Sequence, residues 1–236
     1  MIEHIPFNSL YLADHGWLKS RFHFSFAEYR DFDNIHYGPL RVMNDDLIKG
    51  NEGFGEHPHN DMEIITYVLR GELTHQDSMG HMESLGRGSV QYMSAGTGIT
   101  HSEINAAEQE LHLIQTWIIP KEKGLNPQYG SREFELKDRH NKWLHVVGPE
   151  GSGAKIKIYQ DASMYASEID DGKNLEFKLS KGRALYVKVM EGSAKINGIV
   201  FAQGDAAKVE DENLHVQAIK NAHILLLDLD IKNFIE

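Results

Sequence analysis

The 236-residue sequence contains no cysteine, which excludes disulfide bonds and any metal site built on thiolates. It also contains no apolar run that approaches the roughly 18 residues of a membrane-spanning helix. The N-terminus lacks a basic region followed by a long apolar stretch, so we expect no secretory signal. Together these absences favour a cytoplasmic location.

Runs of basic residues are absent as well, and the net charge is −11. An acidic surface repels phosphate groups, so we expect no direct binding of nucleic acid. The lack of a long apolar run predicts no membrane association. Hydrophobic residues make up 41% of the chain, which is enough for a buried core. The length suits one large or two small domains.

Histidine is plentiful, and four ligand-type side chains form two closely spaced pairs. The chain has 14 histidines, so a single His-x-His pair would be weak support for a metal site. His57 and His59 are separated by one residue, as are His101 and Glu103. Side chains alternate between the faces of a strand, so each pair projects from one face. If the two strands face each other, three imidazoles and one carboxylate converge on a divalent transition metal.

The segments around these pairs are typical of strands joined by turns. A sharp bend is predicted at residues 96–98, where two glycines precede His101. His75 and Asp77 are two residues apart, so in a strand they would lie on the same face. We expect them either to support the metal site or to brace a turn. Residues 111–118 alternate as in a strand, and Gln115 is the only amide on its face. Gln115 is therefore a candidate either for substrate binding or for a structural role.

Two long segments resemble the motifs of the pirin family, a branch of the cupins. They are HPHNDMEIITYVLRGELTHQDSMG, which begins at His57, and QYMSAGTGITHSEIN, which ends at Asn105. The stretches WLKSRFHFSFAEY and LRVMNDD nearer the N-terminus resemble pirins too. The resemblance implies an all-β bicupin, in which two jelly-roll β-barrels pack together with few short helices.

The same resemblance implies one metal in the N-terminal barrel, held by His57, His59, His101 and Glu103. Fe(II) is expected first, with Ni, Cu, Mn, Co and Zn as alternatives. Many cupins take their carboxylate ligand from the first motif, where Glu63 stands, so Glu63 is the runner-up. Imidazoles bind metals only when neutral, and we expect metal affinity to fall below about pH 6.5.

Pirins resemble quercetin 2,3-dioxygenases, which implies a metal-dependent dioxygenase of quercetin-like flavonols or related enols and phenols. In that reaction Glu103 is the expected proton acceptor, and by family analogy the ring opens with loss of carbon monoxide. The alternative is a non-enzymatic metal or redox sensor that acts on a protein partner as a transcription co-regulator. A cavity beside the metal favours the enzyme, whereas a sealed metal near an exposed surface patch favours the sensor. We expect a monomer.

Residues 120–140 contain several prolines and glycines, which predicts a link between two domains. Residues 1–122 are expected to form the metal-binding cupin domain, and residues 123–236 a C-terminal cupin domain without metal ligands. His215 and His223 stand alone in the second domain and are expected to be structural. A helix is expected near residues 164–169, and residues 44–46 are expected to form a turn.

Overall fold

The computed structural model describes residues 1–234, which are built almost entirely of β-strands. The helical segments of this part of the chain are a 3-10 turn at Phe7–Ser9 and one short helix, α1, at Leu136–Arg139. The expected all-β fold is confirmed. In chain order the strands are β1 (Ile2–Ile5), β2 (Tyr11–Asp14), β3 (Leu18–Phe22), β4 (Leu40–Ile48), β5 (Glu52–His59), β6 (Glu63–Arg70), β7 (Leu73–Asp77), β8 (Met82–Leu85), β9 (Val90–Ser94), β10 (Ile99–Asn105), β11 (Leu111–Ile118), β12 (Gln128–Arg132), β13 (Leu144–Pro149), β14 (Ile156–Ile158), β15 (Ala162–Ile169), β16 (Asn174–Phe177), β17 (Arg183–Ile196), β18 (Ile199–Ala202), β19 (Ala206–Glu210) and β20 (Leu214–Asp230).

The chain divides into two compact units, and its N-terminus belongs to the second. The first unit is Tyr11–Phe134, and the second comprises Met1–Leu10 together with the chain from Glu135 onward. This division differs from the expected boundary between residues 122 and 123. β12 pairs with β9 and stays in the first unit, whereas β1 pairs with β19 in the second. Both assignments depend on strand partners that are distant in the sequence.

The first unit consists of two sheets. The seven-stranded sheet has the order β12-β9-β6-β11-β4-β3-β2, and the four-stranded sheet has the order β5-β10-β7-β8. Buried side chains from both sheets form one hydrophobic cluster, so the sheets pack face to face. Val68 and Leu113 come from the larger sheet, and Leu73 and Leu85 from the smaller one. Each such side chain contributes roughly 1.5–3 kcal/mol relative to an exposed position.

The turn expected before His101 carries the chain from β9 in the larger sheet to β10 in the smaller one. Within it, the Gly98 amide donates to the Ala95 carbonyl oxygen at 2.8 Å. Gly96 has a φ of +46°, and a Cβ there would lie 2.0 Å from the Leu125 carbonyl oxygen. Glycine is therefore required at this point for both conformational and steric reasons.

Two sequence expectations of secondary structure are wrong. Residues 44–46 lie inside β4, which pairs with both β3 and β11, and do not form a turn. Residues 164–169 lie inside β15, which pairs with β13 and β20, and do not form a helix. In both places hydrogen bonding to two neighbouring strands outweighs the local preference of the sequence.

The second unit contains one nine-stranded sheet with the main order β1-β19-β17-β20-β15-β13-β14. β16 also pairs with β20, and β18 with β17. Its interior is apolar, and Leu185, Val187 and Phe201 are fully buried members of one large cluster. His215 is exposed and lies 3.2 Å from a Glu176 carboxylate oxygen. Across residues 1–234, no helix has the length and hydrophobicity needed to cross a membrane.

Candidate metal centre

The two histidine-containing segments are adjacent antiparallel strands of the four-stranded sheet, β5 and β10. His101 lies opposite His57, and Ile99 lies opposite His59. The register shifts between His101 and Glu103, because β5 carries one extra residue at that point. Such a bulge bends a strand and redirects its side chains. The strands that carry the two predicted pairs therefore lie side by side within one sheet.

The three imidazoles form a compact group. One nitrogen from each of His57, His59 and His101 lies within 4.8 Å of the others. The Nε2 atoms of His57 and His101 are 3.1 Å apart. Two nitrogens bound to one ion at about 2.1 Å each are separated by roughly 3–3.4 Å. The geometry of the three histidines therefore fits a divalent transition metal.

The tautomer of His57 supports the same conclusion. Its Nδ1–H donates to the Gly55 carbonyl oxygen at 2.7 Å, which leaves the lone pair of Nε2 directed toward His101. Gly55 belongs to the bulged part of β5. A backbone contact of this kind fixes the orientation of a ligand imidazole.

Burial keeps two of the histidines neutral. Desolvation, followed by the neighbouring imidazoles, lowers the pKa of His59 to about 4 and that of His101 to about 3. Both side chains are therefore neutral at physiological pH, as a metal ligand must be. For these two histidines, proton competition begins well below the pH of about 6.5 expected from the sequence.

The Glu103 carboxylate is held by the opposite sheet. The amides of Gln91 and Gln115 both donate to it, and Gln115 Nε2 lies 2.7 Å from Oε2. The Thr66 hydroxyl donates to Oε1 at 3.3 Å. Glu103 is buried but does not belong to the three-histidine group. Its assignment as the fourth ligand stays a prediction.

The lone pairs of this carboxylate can be counted. An ionised carboxylate has about four acceptor sites, two on each oxygen. Thr66 and Gln91 occupy the two sites of Oε1, whereas Gln115 occupies one site of Oε2. One site on Oε2 is left for a metal or a proton.

Sequence reasoning missed most of the side chains that hold Glu103. Asn44, Gln115, Thr66 and Gln91 lie opposite one another in register on four adjacent strands of the seven-stranded sheet. We call these four residues the polar row. Gln115 alone was singled out, and its amide binds Glu103 while its Oε1 accepts from Trp117 Nε1 at 3.0 Å. Thr66 and Gln91 lie within the pirin-like segments, but the local sequence does not indicate that their side chains reach Glu103.

The remaining candidates have structural partners. Glu63 is completely buried on β6 and accepts a hydrogen bond from the Tyr92 hydroxyl at 2.9 Å. It lies outside the histidine group, because Asp61 has a positive φ of 45° and the chain changes sheet between His59 and Glu63. The prediction that Glu63 could join the site assumed an unbroken strand from His59 to Glu63, whereas the chain leaves β5 and enters β6 between these residues.

His75 and Asp77 fulfil one of the two roles expected of them, which is to brace a turn. Asp77 accepts hydrogen bonds from the backbone amides of Met79 and His81 and thereby braces a turn. His75 contacts Asp77 at 3.2 Å, and its ring centroid lies 5.4 Å from that of His101. His75 therefore lies beside one of the clustered imidazoles, and its support of a metal site stays a prediction.

A cavity of about 370 Å³ lies beside the site. His57, His59, Glu103 and Gln115 contribute to its wall. The indole of Trp117 stands edge-on to the His59 ring at 4.9 Å. Much of the remaining wall is aromatic and consists of Trp17, Phe22, Phe26, Phe54 and Trp117.

This fold and this site define a two-domain cupin with a three-histidine centre in its first unit. Residues 7–118 match the model of the pirin family, and residues 145–229 match that of the quercetinase C-terminal cupin domain. The chain therefore belongs to the pirin family, as its two long motifs indicated.

Individual relatives agree with this assignment over nearly the whole chain. The quercetin 2,3-dioxygenase of Escherichia coli K12 is 41% identical over 219 residues, which cover 92% of this chain and 94% of that protein. A pirin-like protein of Caulobacter vibrioides is 40% identical over 230 residues, covering 97% and 99%. The nickel(II) complex of the bacterial pirin YhhW from Escherichia coli has a TM-score of 0.91 at 39% identity, covering 98% of this chain and 99% of that one.

Proposed function

We propose that the protein is a metal-dependent dioxygenase that acts on quercetin-like flavonols or related enols and phenols. The observation that carries the proposal is the aromatic-walled cavity beside the three histidines. Its volume of about 370 Å³ lies within the range of roughly 300–1,000 Å³ typical of small-molecule sites. The similarity to a relative named quercetin 2,3-dioxygenase supports the substrate class.

The proposed cofactor is one divalent transition metal, with Fe(II) as the first choice. His57, His59 and His101 would hold it, and Oε2 of Glu103 would supply the fourth ligand. Nitrogen and oxygen donors without sulfur suit Fe(II) and the other borderline divalent ions. The nickel(II) complex of YhhW supports a divalent ion and makes nickel the leading alternative. When bound, the metal acts as a Lewis acid toward a substrate oxygen.

Glu103 is the proposed acceptor of the substrate's hydroxyl proton. Its Oε2 retains one acceptor site, so ligation and proton acceptance exclude each other at any moment. Gln91 and Gln115 hold the carboxylate from the opposite sheet and fix the direction of that site. The aromatic wall matches a flat ligand and excludes water from the region of proton transfer.

Oxygen consumption by the iron(II)-loaded protein with a panel of flavonols tests the reaction. We expect uptake with at least one flavonol, and we expect Glu103→Gln to bind flavonol but lose most turnover. Glu110→Gln is the matched control, because Glu110 is a surface carboxylate paired with Arg70. Full activity of Glu103→Gln would refute its role as the base. No uptake with any flavonol or related enol would favour the sensor hypothesis.

Elemental analysis tests the metal ligands separately. His59→Ala should lose most of the bound metal, because it removes one of three clustered imidazoles. His215→Ala is the control, since its side chain is exposed in the second unit. Metal content in His59→Ala equal to that of the wild type would contradict the assignment.

A further inference from the structure

Two polar side chains on β4 line the cavity without belonging to the metal centre. Asn44 and Asp46 are two residues apart on one strand, so both project from the same face. Asn44 lies opposite Gln115 in register, and Asp46 lies opposite Leu113. Neighbouring strands are about 4.8 Å apart, which places Asn44 one strand farther from Glu103 than Gln115.

Asn44 has an unsatisfied acceptor. Its side chain is 4% exposed, and Oδ1 has no hydrogen-bond partner within residues 1–234. Leaving a buried acceptor unpaired costs folding free energy, and such groups are rare in folded proteins. The cavity is where a ligand could supply the missing donor.

The Asp46 carboxyl group is also only partly satisfied. Among the described side chains, Ser20 is its one hydrogen-bond partner, and the Ser20 hydroxyl donates to Oδ1. Burial raises the pKa of Asp46 to about 7, and the charges of Asp45 and Glu103 add to this effect. Near neutral pH the group can therefore donate or accept a hydrogen bond.

We propose that Asn44 and Asp46 form a second substrate-binding subsite, which holds a ring hydroxyl group distinct from the oxygen bound at the metal centre. This inference rests on the proposed function and specifies its ligand as a flat aromatic compound with an additional hydroxyl. The hydroxyl donates to Asn44 Oδ1 and also contacts the Asp46 carboxyl group. This part of the cavity wall can therefore distinguish hydroxylated ligands from unhydroxylated ones without taking part in proton transfer at Glu103.

Binding measurements can separate this subsite from the reaction. The probes are 3-hydroxyflavone and derivatives of it that carry one extra ring hydroxyl, added to the nickel(II)-loaded protein without oxygen. Trp17 and Trp117 line the cavity, so quenching of tryptophan fluorescence reports occupancy. In the wild type we expect one derivative to bind about five- to tenfold more tightly than 3-hydroxyflavone, as one additional hydrogen bond allows.

In Asn44→Leu and in Asp46→Leu, the affinity ratio between that derivative and 3-hydroxyflavone should fall toward one. Glu110→Gln is the control, because Glu110 is a surface carboxylate paired with Arg70 and does not line the cavity. A ratio unchanged in Asn44→Leu would overturn the subsite, whether or not oxygen uptake occurs. A ratio that collapses without any oxygen uptake would support the subsite while refuting the dioxygenase. If none of the probes binds the wild type, both proposals fail.

A crystal structure of the wild type with the preferred derivative provides a measurement that does not depend on the folding of a variant. The added hydroxyl oxygen should lie within hydrogen-bonding distance of Asn44 Oδ1. A ligand bound with that hydroxyl directed elsewhere would overturn the subsite.

Discussion

The substitution Gln91→Leu tests whether the opposite sheet controls metal binding through Glu103. Gln91 does not line the cavity, and its side-chain amide donates to Glu103 and, at 3.4 Å, to Thr66. Any effect of this change on the metal must therefore pass through the Glu103 carboxylate. We treat Gln91 as a positioning residue.

The size of the effect follows from the hydrogen bonds that Glu103 accepts. A hydrogen bond to a charged group contributes about 1.5–3 kcal/mol. Oε1 keeps its bond from Thr66, and Oε2 keeps its bond from Gln115, so we take the lower value. Because this bond exists without metal, it affects metal affinity only by orienting Glu103, and we expect a loss of about tenfold if Glu103 is a ligand. Changes behind metal ligands typically have effects of about 10- to 100-fold.

Competition with a chromophoric chelator for nickel(II) measures this affinity directly. Thr116→Val is the control, because Thr116 lies on β11 beside Gln115 but projects to the other face. Glu103→Gln sets the upper limit of the effect. If Gln91→Leu binds nickel as tightly as Thr116→Val while Glu103→Gln is weakened, the amide of Gln91 is not needed. If all three match the wild type, the three histidines hold the metal without Glu103.

Three further predictions concern pH, burial and stoichiometry. Burial raises the pKa of Asp46 from 3.8 to about 7 in the folded protein, so the folded state binds the proton more tightly than the unfolded state. Its contribution to stability is therefore present below about pH 4 and is lost as the pH rises toward 7, by at most about 4 kcal/mol. Asp46→Asn should gain stability relative to the wild type across this window in urea unfolding, and a pH-independent difference would contradict the argument. Thr116→Val should raise the free energy of unfolding by about 1 kcal/mol in the same urea assay. The reason is that the Thr116 hydroxyl is buried without a hydrogen-bond partner within residues 1–234. A loss of stability would refute this. Elemental analysis should find one metal per chain. Within residues 1–234, the one close group of three potential ligands lies in the first unit. A second ion bound in the second unit would show this wrong.

The parts of the site that could be predicted are those encoded by local spacing. His57 and His59 share a face because strand side chains alternate, and the structure brings them together with His101. The same parity argument failed for Glu63, because it assumes an unbroken strand and the chain changes sheet before that residue. The alternation of side chains therefore predicts which residues share a face within one strand, but not across a turn.

The polar row and the unit boundary depend on register between distant strands. Thr66 and Gln91 belong to different strands and contact Glu103 only because β6, β9 and β11 align in one sheet. β1 joins the second unit through pairing with β19, at the other end of the chain. No local pattern specifies such partners, so a sequence can suggest ligands without revealing what holds them.

The interiors of the two units differ in the polar side chains that could support a metal site. In the first unit, the sheet opposite the histidines carries the polar row, and three of its members, Thr66, Gln91 and Gln115, donate hydrogen bonds to the buried Glu103 carboxylate. The second unit fills its interior with apolar side chains such as Leu185, Val187 and Phe201. Nδ1 of the buried His223 lies 3.0 Å from a Glu191 carboxylate oxygen, and His223 does not belong to the three-histidine group. If Glu103 is a metal ligand, histidines introduced alone into the second unit would bind a metal more weakly than the first unit does, because no hydrogen-bonded carboxylate would accompany them.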